Sequence, residues 1–189
     1  MSKFKINAKG YWESDTSYGH HFDGGIYNGI VSLIEKFGMT NVVDFGCGMG
    51  DYIKRIMDLG YKCEAYDGNP NTPSLTNGIG KVLDFSEKFN LNRKFDLVMS
   101  LEVGEHIPKE YENIYINNIC NHSNNYILIS WAIIGQSGDG HVNCQNNDYV
   151  IKEMDKNGFE YDELNSINLR NLTTNAWWFK NTIMFFKKK

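Results

Sequence analysis

The sequence contains no apolar run of the length that a membrane span requires. Its longest apolar stretches, such as residues 126–131 and 183–186, fall far short of the roughly 20 residues that cross a bilayer. The N-terminus becomes polar at Asn7 without forming the apolar segment of a secretion signal. We therefore expect no membrane partner and a cytoplasmic location.

Patterns typical of a structural metal site or a polyanion-binding surface are also missing. The four cysteines are widely separated, with no Cys-x-x-Cys pair and no histidine spaced as in a zinc finger. The formal net charge is −4, and the basic cluster at residues 187–189 is interpreted as a solvated tail. We expect reduced thiols, no metal ion and no nucleic-acid partner, and the oligomeric state stays open.

Predicted strands and helices alternate along the chain. Such alternation is typical of a parallel sheet with helices on both faces, joined by right-handed crossovers. We predict an α/β fold in one domain over residues 1–189: a Rossmann-like, mostly parallel sheet of about seven strands that ends in an antiparallel hairpin. The predicted strands are 41–45, 63–66, 81–83, 95–101, 126–131 and the late pair 164–172 and 177–186, and the first helix spans 22–37.

A glycine-rich turn, Asp44-Phe45-Gly46-Cys47-Gly48-Met49-Gly50, joins the first predicted strand to a helix. Glycines at such a turn let the backbone approach a ligand closely. The spacing is Gly-x-Gly-x-Gly rather than the Gly-x-Gly-x-x-Gly of a dinucleotide loop. The charge of Asp44 would oppose a pyrophosphate but suits a ligand with an ammonium group. The turn favours S-adenosylmethionine over NAD, and a tight turn without a ligand is the alternative.

Acidic residues also end the next two predicted strands. Asp67 precedes Gly68 at the end of the second strand, where a carboxylate can accept both hydroxyls of a ribose. Asp84 and Phe85 end the third strand and combine a hydrogen-bond acceptor with an aromatic face, as adenine recognition requires. Each aspartate alone could stabilise a turn. Three successive predicted strands that each end at an aspartate favour a ligand site.

Together these motifs resemble the class I S-adenosylmethionine-dependent methyltransferases over about Phe22 to Trp131. The resemblance implies S-adenosylmethionine as cofactor and S-adenosylhomocysteine as its product. It implies that the glycine turn, with Asp44, Gly46, Cys47 and Gly48, holds the methionine portion. It also implies that Asp67 with Gly68 binds the ribose, that Asp84 and Phe85 border the adenine, and that the reversed strands near the C-terminus match the family's antiparallel end.

The segment after the fourth strand, residues 100–108, is the first candidate for the reacting centre. It contains Leu101, and its Glu-His-Ile-Pro stretch resembles small-molecule methyltransferases in which the histidine lies near the transferred methyl group. A hydroxyl nucleophile needs a proton acceptor, and histidine is suited to this role near neutral pH. His106 is therefore our first candidate base. The alternative is a histidine that only bonds the backbone at the start of a helix.

The glycine-rich loop after the fifth strand, residues 132–147, is the second candidate. It resembles a loop in glycan-modifying methyltransferase domains of bacteria and large DNA viruses, and its His141 could serve as the base or orient the acceptor. A water-exposed loop histidine is the alternative. In this fold the N-terminal segment, residues 1–20, often covers the cofactor, so Tyr18 or His21 could close the site. Trp177 and Trp178 could stack on a sugar, and core packing is the alternative.

The favoured function is O-methylation of a small-molecule or glycan hydroxyl. Methylation of RNA or protein is one alternative, and a non-catalytic module that binds the cofactor is another. The adjacent histidines at positions 20 and 21 lack a carboxylate cluster, so we expect no metal there. Glu102 and Glu105 lie beside His106 in the sequence, so a metal-dependent reaction stays an alternative.

Overall fold

The computed structural model describes residues 5–189. Residues 1–4, where the predicted N-terminal segment begins, lie outside the described residues. The helices are α1 (Gly24–Lys36), α2 (Asp51–Asp58), α3 (Thr72–Leu75), α4 (Glu112–His122), α5 (Asn147–Lys156), α6 (Glu163–Leu172) and α7 (Phe179–Thr182). The strands are β1 (Lys5–Ile6), β2 (Trp12–Glu13), β3 (Asn41–Phe45), β4 (Lys62–Asp67), β5 (Gly80–Val82), β6 (Phe95–Leu101), β7 (Ser123–Ser130), β8 (Phe159–Tyr161) and β9 (Ile183–Lys188).

Seven strands form one sheet in the order β5-β4-β3-β6-β7-β9-β8. The pairs from β5 through to β7 are parallel, whereas β9 runs antiparallel to both β7 and β8. The predicted α/β fold, a mostly parallel sheet of about seven strands with an antiparallel end, is therefore confirmed.

Both faces of the sheet are buried under helices. Successive strand residues point to opposite faces, so Val42 packs in one core cluster with α1 and α2, while Val43 packs in the other with α4 and α5. Burial on both faces explains why the central strands are short, nearly continuous apolar runs.

The late strand pair differs from the prediction. Residues 164–172 belong to helix α6, whose N-cap Asp162 accepts a hydrogen bond from the backbone N–H of Asn165. The apolar residues that suggested a strand are largely exposed, since Leu164 is 67% accessible, whereas Ser166 and Leu169 are buried. The strand predicted over 177–186 begins only at Ile183, after the short helix α7. The antiparallel end is therefore built by β8 and β9, with α6 between them.

An N-terminal hairpin of β1 and β2 lies outside the main sheet. Its turn contacts both sides of the sheet's carboxyl edge: a Cβ on Gly10 would lie 2.0 Å from the carbonyl oxygen of His106, and one on Gly68 would lie 2.5 Å from Cβ of Tyr11. The hairpin thus bridges the loops that follow β4 and β6. That residues 1–189 form one domain stays a prediction. No helix among residues 5–189 is both long and apolar enough to cross a bilayer.

Candidate active site

The candidate site lies where the strand order of the sheet reverses. Strand β3 has β4 on one side and β6 on the other, and ligands bind in the crevice at such a switch point. The glycine turn after β3 and the residues after β6 meet there, since a Cβ on Gly46 would lie only 2.2 Å from Cγ2 of Val103.

Backbone hydrogen bonds hold the glycine turn against the end of β4. The N–H groups of Gly46 and Cys47 donate to the Tyr66 carbonyl at 2.8 and 3.0 Å. The N–H of Gly48 donates to one carboxylate oxygen of Asp67 at 2.9 Å, and the N–H of Asn69 donates to the other at 2.9 Å. Asp67 therefore fixes the shape of the turn while its carboxylate faces the crevice.

Gly46 allows a direct test of this packing. It has a φ of 95°, as Gly60 does at 93°, but no atom lies within 4 Å of a Cβ added to Gly60. Gly60→Ala should cost about 1 kcal/mol of unfolding free energy from backbone strain alone. Gly46→Ala should cost at least about 2 kcal/mol more because the methyl group overlaps Val103. Chemical denaturation of both variants measures the difference. Equal losses of unfolding free energy would contradict the close packing of Gly46 against Val103.

Asp44 is a buried carboxyl group that lines the crevice. It is only 4% exposed, and burial followed by the charge of Asp67 raises its pKa to about 7. Among residues 5–189, no ion pair involves Asp44 or Asp67. Two carboxyl groups without a cationic partner make this end of the crevice attractive to a cation.

The raised pKa of Asp44 predicts a pH-dependent stability. Near pH 4 the carboxyl group is protonated in the folded chain, and it loses its proton only as the pH passes about 7. The unfolded chain loses that proton near the usual value of 3.8, so the folded state loses stability as the pH rises from 4 through 7. Asp44→Asn should remove this loss and exceed the parent by more than about 1 kcal/mol at pH 8. Urea denaturation of the parent and the variant at pH 4 and pH 8 tests this. If the difference between their unfolding free energies is the same at both pH values, the prediction is wrong.

The two residues predicted to border adenine are separated by the structure. Phe85 lines the crevice, but Asp84 does not line it. One oxygen of Asp84 accepts from Lys9 Nζ at 2.9 Å, and the other accepts from the backbone N–H and the hydroxyl of Ser86 at 2.9 and 2.6 Å. Lys9 belongs to the N-terminal hairpin, so the carboxylate of Asp84 anchors that hairpin.

The other end of the crevice is formed by a helical turn after β6, residues 104–106, and by the loop after β7. The loop folds back onto this turn because the N–H groups of Val142 and Asn143 both donate to the carbonyl of Glu105 at 2.9 Å. The indole N–H of Trp131 donates to the Asn143 carbonyl at 2.6 Å. This docking brings together two histidines that are far apart in the sequence.

The rings of His106 and His141 meet edge to face, with centroids 5.1 Å apart. Nδ1 of His106 lies 3.3 Å from the Gly140 carbonyl, and Nδ1 of His141 lies 3.1 Å from the Gln136 carbonyl. Because a carbonyl only accepts hydrogen bonds, each Nδ1 carries the proton and each Nε2 keeps its lone pair. Burial, and next the neighbouring His141, lowers the pKa of His106 to about 4.

Two glutamates complete this end of the crevice, the same two that left a metal-dependent reaction open in the sequence. Glu105 is fully buried. Glu102 adopts a φ of 53°, which is strained for a residue other than glycine. Its N–H donates to the hydroxyl of Ser130 at 2.8 Å, and its carboxylate accepts from Gln136 and Thr182. Burial raises the pKa of Glu102, and burial together with the charge of Glu102 raises that of Glu105.

These features surround one cavity of about 560 Å³, which is ample for a small ligand. Of the predicted residues, Asp84 and Trp177 lie outside its lining. Trp178 lines the cavity, whereas Trp177 is 60% exposed and lies outside it. The predicted residues that line it are Asp44, Gly46, Cys47, Gly48, Asp67, Gly68, Phe85, Leu101, His21, His106 and His141, and it is also lined by Tyr11, Trp12, Glu102, Glu105 and Gln136.

Comparison with known proteins decides the family. The profile of a methyltransferase domain matches residues 22–131, more than half of the chain. The chain belongs to the methyltransferase domain family. It is an S-adenosylmethionine-dependent methyltransferase of the class I fold, so neither an NAD-dependent enzyme nor a non-catalytic module is retained. No curated protein matches the sequence of this methyltransferase.

Solved structures agree with this fold. A sugar N-methyltransferase from Streptoalloteichus is 12% identical with a TM-score of 0.70, and the alignment covers 92% of this chain and 90% of that chain. Magnesium protoporphyrin IX methyltransferase from Synechocystis, with bound S-adenosylhomocysteine, is 16% identical with a TM-score of 0.66, covering 86% and 82%. A TehB-like methyltransferase from Corynebacterium glutamicum is 17% identical with a TM-score of 0.66, covering 87% and 88%. At these identities the likeness shows the fold alone.

The crevice of this methyltransferase fits S-adenosylmethionine chemically. The cofactor carries a cationic sulfonium and an ammonium group, and the carboxyl groups of Asp44 and Asp67 lack a cationic partner among the described residues. The Phe85 ring supplies an apolar face at the same cavity. These residues therefore suit a cationic nucleoside.

Proposed function

We propose that this methyltransferase transfers a methyl group to a hydroxyl of a small sugar or glycan. The observation that supports this proposal is a single cavity shared by the glycine turn and two neutral histidines. A hydroxyl is a weak nucleophile and must lose its proton as it reacts, whereas a neutral amine needs no base before it reacts. Two imidazole lone pairs beside the cofactor end therefore favour oxygen over nitrogen as the methylated atom.

At the cofactor end, Asp67 would hold the ribose, and the backbone of Gly46, Cys47 and Gly48 would hold the methionine portion near Asp44. When bound, S-adenosylmethionine supplies an electrophilic methyl group on its sulfonium. Phe85 would cover the adenine, and Gly68, Leu101 and His21 would line the same end. Asp84 has no part in this assignment because Lys9 and Ser86 occupy its oxygens.

At the acceptor end, we assign the proton acceptor to His141 ahead of His106. His106 is a weak base at neutral pH, since burial and then His141 lower its pKa to about 4. Burial also lowers the pKa of His141, but the Gln136 carbonyl and the charge of Asp139 oppose that effect. Nε2 of His141 lies 3.9 Å from a carboxylate oxygen of Glu105, which would stabilise the imidazolium formed when His141 takes the proton. This order reverses the preference drawn from the sequence.

The walls of the cavity suit a sugar. Trp12 and Trp178 present aromatic surface, and Gln136 and Asp139 offer polar groups to hydroxyls. The formal net charge of −4 disfavours a polyanionic acceptor.

Incubation with S-adenosylmethionine labelled in its methyl group tests the acceptor. We expect label in sugar nucleotides or oligosaccharides, and none in RNA or protein. If label appears only in material that nuclease or protease destroys, the alternative of an RNA or protein acceptor is correct. If every sugar and oligosaccharide stays unlabelled while the protein still binds S-adenosylhomocysteine, the acceptor proposal is wrong.

A further inference from the structure

Glu105 is a buried carboxyl group beside His106 and His141. It is fully inaccessible to solvent, and neither of its carboxylate oxygens has a hydrogen-bond partner. An unpaired charge at such a position costs several kcal/mol unless it takes up a proton or binds a cation. The second glutamate nearby, Glu102, adds negative charge to the same place. A proton or a bound cation would relieve this burial, and among residues 5–189 Glu105 forms no salt bridge to lysine or arginine.

The two histidines beside Glu105 are held in the form that binds metal ions. Their Nδ1 atoms face the carbonyls of Gly140 and Gln136, which fixes the proton on Nδ1 and leaves the Nε2 lone pair free. A backbone carbonyl on the far nitrogen is the usual support of a metal-bound imidazole.

The three side chains converge. One potential ligand atom from each of Glu105, His106 and His141 lies within 4.8 Å of the other two. Nε2 of His141 is 3.9 Å from Oε1 of Glu105. Ligand atoms that share one ion lie about 3–4 Å apart, so binding requires the groups to close by about 1 Å. The docked loop already holds the two histidines against the turn that carries Glu105.

We propose that Glu105, His106 and His141 bind one divalent first-row transition metal ion, such as Mn²⁺, Co²⁺ or Zn²⁺. Two imidazoles and one carboxylate suit these ions, whereas Mg²⁺ prefers an all-oxygen set. The proposal revises the expectation of no metal that we drew from the sequence. If the proposed function is correct, the ion would lie at the acceptor end, where it would lower the pKa of a bound sugar hydroxyl so that the hydroxyl proton passes to water. His141 would then serve as a ligand, and as the base only in the metal-free protein.

Metal uptake can be measured without any methyl transfer. The full chain is stripped with a chelator, dialysed against Mn²⁺, Co²⁺ or Zn²⁺, and analysed for bound metal; the absorption bands of Co²⁺ report nitrogen and oxygen ligands. We expect one ion per chain. Glu105→Gln and His141→Gln should each weaken binding by more than about 10-fold. His21→Gln is the matched control, because His21 lines the same cavity outside the cluster, and it should bind the ion as the parent does.

Thermal unfolding separates lost binding from lost folding. The ion should raise the melting temperature of the parent but not that of Glu105→Gln. Without metal, Glu105→Gln should melt at or above the temperature of the parent, since the substitution removes a buried, unpartnered carboxylate. No stoichiometric binding by the parent, or equal affinity in the parent, Glu105→Gln and His141→Gln, would overturn the metal site. Because these readouts involve no acceptor, a failed metal site and a failed acceptor assignment are distinguishable.

Discussion

Replacing Asp67 by alanine should weaken the binding of S-adenosylhomocysteine by at least about 100-fold. The carboxylate of Asp67 accepts hydrogen bonds from the N–H groups of Gly48 and Asn69, so its loss frees the glycine turn. It also removes the proposed acceptor of the ribose hydroxyls. Hydrogen bonds to a charged group contribute about 1.5–3 kcal/mol each, and 1.4 kcal/mol corresponds to a factor of ten in Kd. Isothermal titration of parent and variant measures the change.

Asp84→Asn is the matched comparison for this titration. Asp84 also follows a strand on the cofactor side of the sheet, β5, but its oxygens are occupied by Lys9 and Ser86. We expect its affinity for S-adenosylhomocysteine to change by no more than a few-fold. If Asp84→Asn loses binding while Asp67→Ala keeps it, the roles assigned to the two carboxylates are wrong. Circular dichroism melting confirms that each variant is folded before titration.

In the metal-free protein, replacing His141 by glutamine should lower kcat by about 100-fold or more, the usual contribution of a general base, and leave the Kd for S-adenosylhomocysteine unchanged. Only the neutral ring accepts a proton, so the parent rate should rise with pH through the pKa of His141 and then level off. This rise should vanish in His141→Gln. Single-turnover rates across pH, measured with an acceptor found in the labelling screen, test both expectations.

Two further variants make the His141 experiment specific. His122 is buried away from the cavity, where its ring nitrogens meet Asn118 and Leu91, so His122→Gln should keep the parent kcat and pH profile. His106→Gln should lose less activity in the metal-free protein, because a ring with a pKa of about 4 is a poor base at neutral pH. A greater loss in metal-free His106→Gln than in metal-free His141→Gln would contradict the assignment.

The parts of the fold that could be predicted are those specified locally. Strand β3 has its predicted bounds because a continuous apolar run ends at a glycine turn, and this pattern depends on few distant residues. Helix α6 could not be recognised in the same way. Its buried face includes Asn165 and Ser166, whereas Leu164 and Ile167 are exposed. Tertiary contacts therefore override the apolar pattern in this segment.

The two ends of the candidate site show the same contrast between local patterns and long-range contacts. The cofactor end follows from motifs at successive strand ends, and parallel strands bring those ends to one edge of the sheet. The acceptor end depends on a loop that docks because the backbone N–H groups of Val142 and Asn143 donate to the carbonyl of Glu105. No sequence pattern predicts these hydrogen bonds. The short N-terminal hairpin is likewise unpredicted, and its Lys9 turns Asp84 away from the cavity. The positions of the acceptor loop and of Asp84 therefore depend on long-range contacts, which the sequence alone does not predict.

The atom that receives the methyl group tests the central claim most directly. The protein is mixed with S-adenosylmethionine carrying a ¹³C-labelled methyl group and with the acceptor from the labelling screen, and the product is examined by ¹H–¹³C correlation NMR. We expect one new methyl signal in the O-methyl region, correlated to a sugar ring carbon. A signal in the N-methyl or C-methyl region would show that the histidine-lined end of the cavity does not activate a hydroxyl.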